Sequence, residues 1–191
     1  MLQKFPTGVR RALREARAGA ENLAIAATEL AGVSESIDLS SPAFDYNEPI
    51  PAEFTTDGEG RSPPLEWRGV PPNAEAVVLI VEDADSSTPQ PFVHAMVWDL
   101  PGTDASLPEG ALQTAAPRGS RKTLDRNSCF AANYVPPDPP RGHGRRRYAF
   151  QVLALDSAPR FDSPPSRAAL MEKIRGHVIA KGLLIGTYER F

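Results

Sequence analysis

The 191-residue chain has a single cysteine, Cys129. A lone cysteine excludes an intrachain disulfide and a multi-cysteine zinc site, and it fits a reducing compartment. No stretch approaches the ~20 consecutive apolar residues that a membrane span needs. The N-terminus has arginines but no apolar core with a cleavage site, so no secretory signal is read and a cytoplasmic location is expected. Positive charge is not in surplus: 21 Lys and Arg stand against 24 Asp and Glu, a net −3. There is no overall basic field to draw nucleic acid. The length suits one well-filled core and is too short for two comfortable domains.

What the chain does have is proline, 20 residues of it. Proline is excluded from helix interiors and central strands, so this number implies many short elements joined by structured turns. That leans toward a mostly β fold. The first part of the chain is the exception. Residues 9–30 lack proline and are rich in good helix formers, with Leu13, Ala16, Ala20, Leu23, Ala24 and Ala27 at three- and four-residue steps. A helical N-terminal extension over residues 1–35, with Arg10, Arg11, Arg14 and Arg17 along its first half, is the expectation. It should be dispensable for a folded domain of residues 36–191.

Within that domain, residues 76–81 form a continuous apolar run rich in β-branched side chains. This is the pattern of a strand buried on both faces. A second run covers residues 92–100, a third 148–155 and a last one 183–188. Residues 77–81 and 94–100 are expected as inner strands. Pro164-Pro165 is expected to open a helix over residues 166–180, ended by Gly182. No strand–helix–strand alternation and no internal repeat occur, which argues against a parallel sheet.

Polar residues that look out of place fall at the ends of these runs. Asp83 and Asp85 leave the first strand, where an unpaired buried carboxylate would be very costly. An aspartate here also commonly caps a turn, and Asp85 is the stronger candidate for that role. In the run Gly142-His143-Gly144-Arg145-Arg146-Arg147-Tyr148, period-two geometry puts Arg146 and Tyr148 on one face, Arg145 and Arg147 on the other. One face would aim a guanidinium and a phenol into a cleft while an arginine of the other pairs with a carboxylate. Arginine's planar fork suits phosphate and carboxylate. His94 sits inside the second apolar run, where a histidine is more often a satisfied core residue than a ligand group. It gains weight if it meets Asp83 across the sheet.

These residues together resemble the phosphatidylethanolamine-binding proteins, which include the Raf kinase inhibitor protein and plant flowering regulators. The resemblance covers about residues 36–191 and is nearest to the bacterial Raf-kinase-inhibitor-like branch. It rests on Ser62-Pro63-Pro64-Leu65-Glu66-Trp67 with Val70-Pro71, on Asp83-Ala84-Asp85-Ser86-Ser87-Thr88-Pro89, on His94, on Tyr134-Val135-Pro136-Pro137-Asp138-Pro139-Pro140, and on the glycine–arginine run into Tyr148. Two positions depart from the family pattern: Arg146 stands for a histidine and Pro136 for a glycine. The resemblance implies a two-sheet antiparallel β-sandwich and a pocket for phosphate-like or carboxylate groups. Its lining would be Asp83, Asp85, His94, Pro136, Arg146 and Tyr148, with Asp83 holding His94 oriented or protonated.

The expected function is therefore a non-catalytic binding module with an anion pocket, acting as a regulator or inhibitor of a kinase or protease. Its expected ligand is a small anion or a phospholipid head group, and a homodimer is a candidate assembly. No cofactor, metal or nucleic acid is called for. The alternative is a small hydrolase using Asp83 and His94. Against it, no serine sits in a nucleophile-elbow pattern, and Cys129 has no cationic neighbour nearer in sequence than Arg126. A metal held by the two acids and His94 would be repelled by Arg146.

Overall fold

A computed structural model describes residues 19–113 and 133–191. Residues 1–18, with the first half of the expected N-terminal helix, and residues 114–132, with Cys129 and Arg126, lie outside the described residues. Among the described residues, seven strands form two antiparallel sheets. β1 (Asp38–Ser40), β2 (Leu65–Arg68) and β5 (Ala105–Leu107) make the smaller, in the order β1-β2-β5. β3 (Ala76–Asp83), β4 (Phe92–Pro101), β6 (Arg146–Leu155) and β7 (Val178–Tyr188) make the larger, in the order β4-β3-β6-β7. β3 is interior, as expected, whereas β4 stands at the end of its sheet among the described residues.

The larger sheet is covered on both faces, which explains its unbroken apolar runs. Val77, Leu79 and Val81 point into one core with Tyr148, Phe150 and Val152, facing Leu39, Leu65 and Trp67 of the smaller sheet. The intervening Val78 and Ile80 point into a second core with Met96, Trp98 and Leu153. Every residue of β3 is buried.

The second core is roofed by helix α1 (Arg167–Lys173) and by residues 19–35. Ser166 caps α1 by accepting the Ala169 amide on its hydroxyl. The helix is shorter than the sequence suggests. Gly176, at φ 78°, turns the chain after Ile174, and the β-branched Val178 and Ile179 already belong to β7. Gly182 therefore does not end a helix. It lies within β7, where an added Cβ would strike the Ile37 carbonyl.

Residues 20–30 are not an α-helix either. They form three single 3-10 turns, Ala20–Asn22, Ala24–Ala26 and Thr28–Leu30. The physical reason is competition for their backbone groups. The Ala24 amide donates to the Glu82 carboxylate and the Ile25 amide to Gln151 Oε1, each at 2.8 Å. The Asn22 carbonyl accepts from Arg167 at 2.7 Å and the Leu30 carbonyl from Lys181 at 3.0 Å. Bonds of this kind replace the i→i−4 ladder and let the consecutive Leu23, Ala24 and Ile25 all be buried, which a helical stripe does not allow.

Candidate functional site

The site forms where β3, β4 and β6 end together. Antiparallel register sets Asp83 opposite Phe92 on one side and Tyr148 on the other. Asp83 continues the odd-numbered series of β3 and faces the inter-sheet core. Two residues before Tyr148, Arg146 lies on the same face, as the period-two pattern predicts, and both are buried.

His94 reaches this face through a β-bulge. Val81 pairs with Ala95 and Glu82 with Val93, so His94 is the extra residue between two ladder partners. Simple alternation would have turned it away from Ala95's side. With the bulge, its ring stands edge-on to Tyr148 at a centroid distance of 5.2 Å and beside Phe92 at 4.9 Å.

The hydrogen bonds assign roles that differ from the expected ones. Asp83 does not orient His94. Its Oδ2 accepts from Arg146 Nη1 at 2.7 Å, and its Oδ1 accepts the Asp85 amide at 2.8 Å. The turn is therefore capped by Asp83, and Asp85 instead accepts three bonds from Arg147, one from the amide and two from the guanidinium. That pairing keeps Arg147 strongly protonated, against the smaller effect of burial. His94 is oriented by the Val135 carbonyl, which accepts its Nδ1–H at 2.6 Å, while Val135's own amide bonds the His94 carbonyl. The lone pair of the neutral ring is then on Nε2. Burial pulls the His94 pKa below the ordinary 6.5, the Val135 carbonyl and Asp83 partly offset this, and Arg146 adds to it. The neutral form of the ring is the one that burial favours. Burial raises the Tyr148 phenol far above its usual range, Asp83 adding and Arg146 opposing, and burial alone does the same to Tyr134.

Pro136 follows Val135, the residue whose carbonyl holds His94, and is half-buried with Gly60 close behind its ring. The next residue, Pro137, is fixed by its carbonyl, which accepts the Thr56 amide and hydroxyl at 3.0 and 3.1 Å. The structure thus brings Asp83, His94, Arg146 and Tyr148 together, joins Pro136 to them only through its chain neighbour Val135, and turns Asp85 toward Arg147.

Two residues escaped the sequence reading. Ser87 Oγ accepts a long 3.4 Å bond from Arg146 Nη2, and Tyr134 is a buried phenol close enough to act on Tyr148. Both stood inside quoted motifs, but nothing in their spacing marked them out. Among the described residues, Arg146 Nε and the Tyr134 hydroxyl are buried without a hydrogen-bond partner. Buried polar atoms are nearly always bonded, so such orphans ask for an explanation. A buried arginine tied to a carboxylate at one nitrogen, with other donors unspent, can serve an oxyanion.

A family model for the phosphatidylethanolamine-binding proteins matches residues 40–189. The chain belongs to the phosphatidylethanolamine-binding protein family. Its relatives include the UPF0098 protein PH1269 of Pyrococcus horikoshii, 36% identical over 84% of this chain and 81% of that one. A UPF0098 protein of Chlamydia trachomatis is 37% identical over 81% of this chain and 99% of its own length. Among solved structures, a phosphatidylethanolamine-binding-protein homologue from Chlamydia trachomatis is 33% identical, with a TM-score of 0.71 over 83% of this chain and all of that one. YbcL of Escherichia coli, a member of the same family, is 26% identical, with a TM-score of 0.73 over 82% of this chain and 99% of its own. The family's two-sheet architecture is the one described above. Among the described residues, no group of three or more His, Cys, Asp and Glu side chains could hold a metal ion, and no helix is long and apolar enough to cross a membrane.

Proposed function

We propose that this phosphatidylethanolamine-binding-protein family member is a non-catalytic binding module. It takes a small anionic group, a phosphate, carboxylate or phospholipid head group, beside Arg146. The observation that carries this is the state of Arg146. Its side chain is only 9% exposed, yet among the described residues Nε has no partner and Nη2 has only the long bond to Ser87. An entering oxyanion completes donors that the protein leaves open, and charge-assisted bonds of this kind contribute about 1.5–3 kcal/mol each.

The geometry speaks against the hydrolase reading. Asp83 directs its oxygens to Arg146 and the Asp85 amide, and His94 directs Nδ1 to a carbonyl, so the two do not build an Asp–His relay. Ser86 shares its hydroxyl with Thr88 and the Gln90 carbonyl rather than with a base.

The 2.7 Å pair with Asp83 favours a second reading of the same site. In it Arg146 is a resident plug, and the ligand meets Nε2 of His94 and the phenols once the guanidinium has moved. Titration of phosphate, acetate and phosphoethanolamine against the native chain and Arg146→Ala separates the two. The first reading expects affinity to fall about tenfold or more, the loss of one charge-assisted bond. A rise in affinity establishes the plug, and equal affinity removes Arg146 from the site. The regulatory extension, inhibition of a kinase or protease, has an acidic or phosphorylated group of the partner enter the same mouth. It requires that free phosphate compete with that partner.

A further inference from the structure

The loop that carries the site, residues 84–90, is fastened from behind. The Gly19 amide donates to the Ala84 carbonyl at 2.9 Å, beside the point where the Ala84 amide bonds the Arg147 carbonyl at 3.0 Å. Five residues on, the Ala24 amide is held by Glu82, the residue immediately before Asp83. Glu82 is completely buried and faces away from the site. Its carboxylate also accepts from Arg167 Nε of α1 and from the Gln151 amide nitrogen. Arg167 in turn donates to the Asn22 carbonyl. Between these turns and α1 lies a cavity of about 460 Å3, and Gln90 of the site loop is part of its wall. The Gln90 carbonyl accepts the hydroxyls of Ser86 and Thr88, so the loop folds back on itself there.

We propose that residues 19–30 are a clip on the site loop and that Glu82 is the positioning residue that closes it. Glu82 touches no ligand. By holding the clip it fixes the exit of β3, and with it the aim of Asp83 at Arg146 and of Asp85 at Arg147. The inference rests on the binding reading given for Arg146. It assigns control of that site to a segment on the opposite face of the sheet, so that lifting the clip loosens the loop and the mouth together.

The test uses the full-length chain and four variants: Glu82→Gln, Arg167→Ala, Arg167→Lys and Lys181→Met. The last unfastens the far end of the same segment, at Leu30, without touching the site loop. Amide hydrogen exchange at Ala84, Asp85 and Ser86 and the affinity for inorganic phosphate are measured together. Glu82→Gln and Arg167→Ala are expected to speed exchange at those amides about tenfold and to weaken phosphate binding about fivefold or more. Arg167→Lys restores both, and Lys181→Met lowers the melting temperature without either change. Unchanged exchange in Glu82→Gln and Arg167→Ala overturns the clip. So does an equal effect from Lys181→Met, which would make it general destabilisation. Should Glu82→Gln fail to fold, the Arg167 pair decides. If the native chain binds no phosphate, the binding reading of Arg146 fails, while the exchange comparison still judges the clip.

Discussion

Glu82 and Asp83 are neighbours in β3, both buried, each paired with an arginine, and turned to opposite faces of one sheet. On the rear face the Glu82 carboxylate is saturated. It accepts from Arg167, from Gln151 and from the Ala24 amide. On the front face the Asp83–Arg146 pair is not: among the described residues Arg146 Nε has no partner and Nη2 only a long one. A buried ion pair holds together when its buried donors and acceptors are satisfied, and no buried side-chain atom of the rear pair is left without a partner. The difference separates a pair whose acceptor oxygens are fully used in the fold from one with donors still open, the feature on which the proposed binding function rests.

The comparison can be broken by removing what saturates the rear pair. Deleting residues 1–30 leaves Glu82 short of an amide donor, Lys181 without the Leu30 carbonyl, and the places of Leu23, Ile25 and Leu30 empty. The packing of these side chains argues against the dispensable extension that composition suggests. Each buried polar group left unsatisfied costs about 1–3 kcal/mol, more for charged groups, and the cavities left by three apolar side chains add to it, against a total of roughly 5–15 kcal/mol for a domain. The truncated chain is expected to show no cooperative thermal transition. A truncated chain that melts within a few degrees of the native one would return these residues to the role of an appendage.

Next in size is Glu82→Ala, which strands Arg167 and two other donors. A loss of about 3–5 kcal/mol in urea unfolding is expected. A loss below ~1 kcal/mol would mean that the rear pair is no more structural than a surface one.

The front face has a pH signature of its own. His94 has its pKa depressed by burial in the folded state, below the ordinary 6.5. On acidification the unfolded chain takes up the proton first, so stability is complete above about 6.5 and falls as pH drops toward the lower folded value. Unfolding free energies measured across that window should decline with acid, and His94→Gln should flatten the decline. A native profile as flat as the variant's would mean that His94 is solvated rather than buried.

The smallest effect is expected from Arg147→Ala. The Asp85–Arg147 pair makes three bonds, yet the Arg147 side chain is 43% exposed. Solvent screening limits its contribution to about 1 kcal/mol or less. A phosphate affinity unchanged in this variant, beside a large change in Arg146→Ala, would sharpen the division between neighbouring arginines on opposite faces.

Much of this division was legible in the residues. The unbroken apolar runs of β3 and β6 announce strands covered on both sides, and period-two spacing alone puts Arg146 with Tyr148 and turns Arg147 away. The acids at the exit of β3 are conspicuous because a carboxylate there must find a partner. Which partner each finds was not legible. Asp83 had His94 and three arginines within reach of a plausible fold. Only the register, with Asp83 opposite Tyr148 and Arg146 two residues on, selects Arg146. The helical texture of residues 20–30 also misled. Propensity is worth a few tenths of a kcal/mol per residue there, less than the bonds that Glu82, Gln151, Arg167 and Lys181 offer to the same backbone.

The class of fold, the strands of the main sheet and the set of polar residues gathered at one end of it follow from the order of residues alone. Proline spacing, apolar periodicity and the chemistry of buried charge are local or compositional, and they act before any tertiary contact forms. Only the tertiary structure decided how those polar residues are joined. The bulge that swings His94 to the face of Asp83 is a matter of how β4 registers on β3, and the Val135 carbonyl that claims its Nδ1 and the Ala24 amide that bonds Glu82 come from segments 41 and 58 residues away in sequence. Contacts of that range leave no mark in local periodicity, because they depend on the register and closure of the whole sheet.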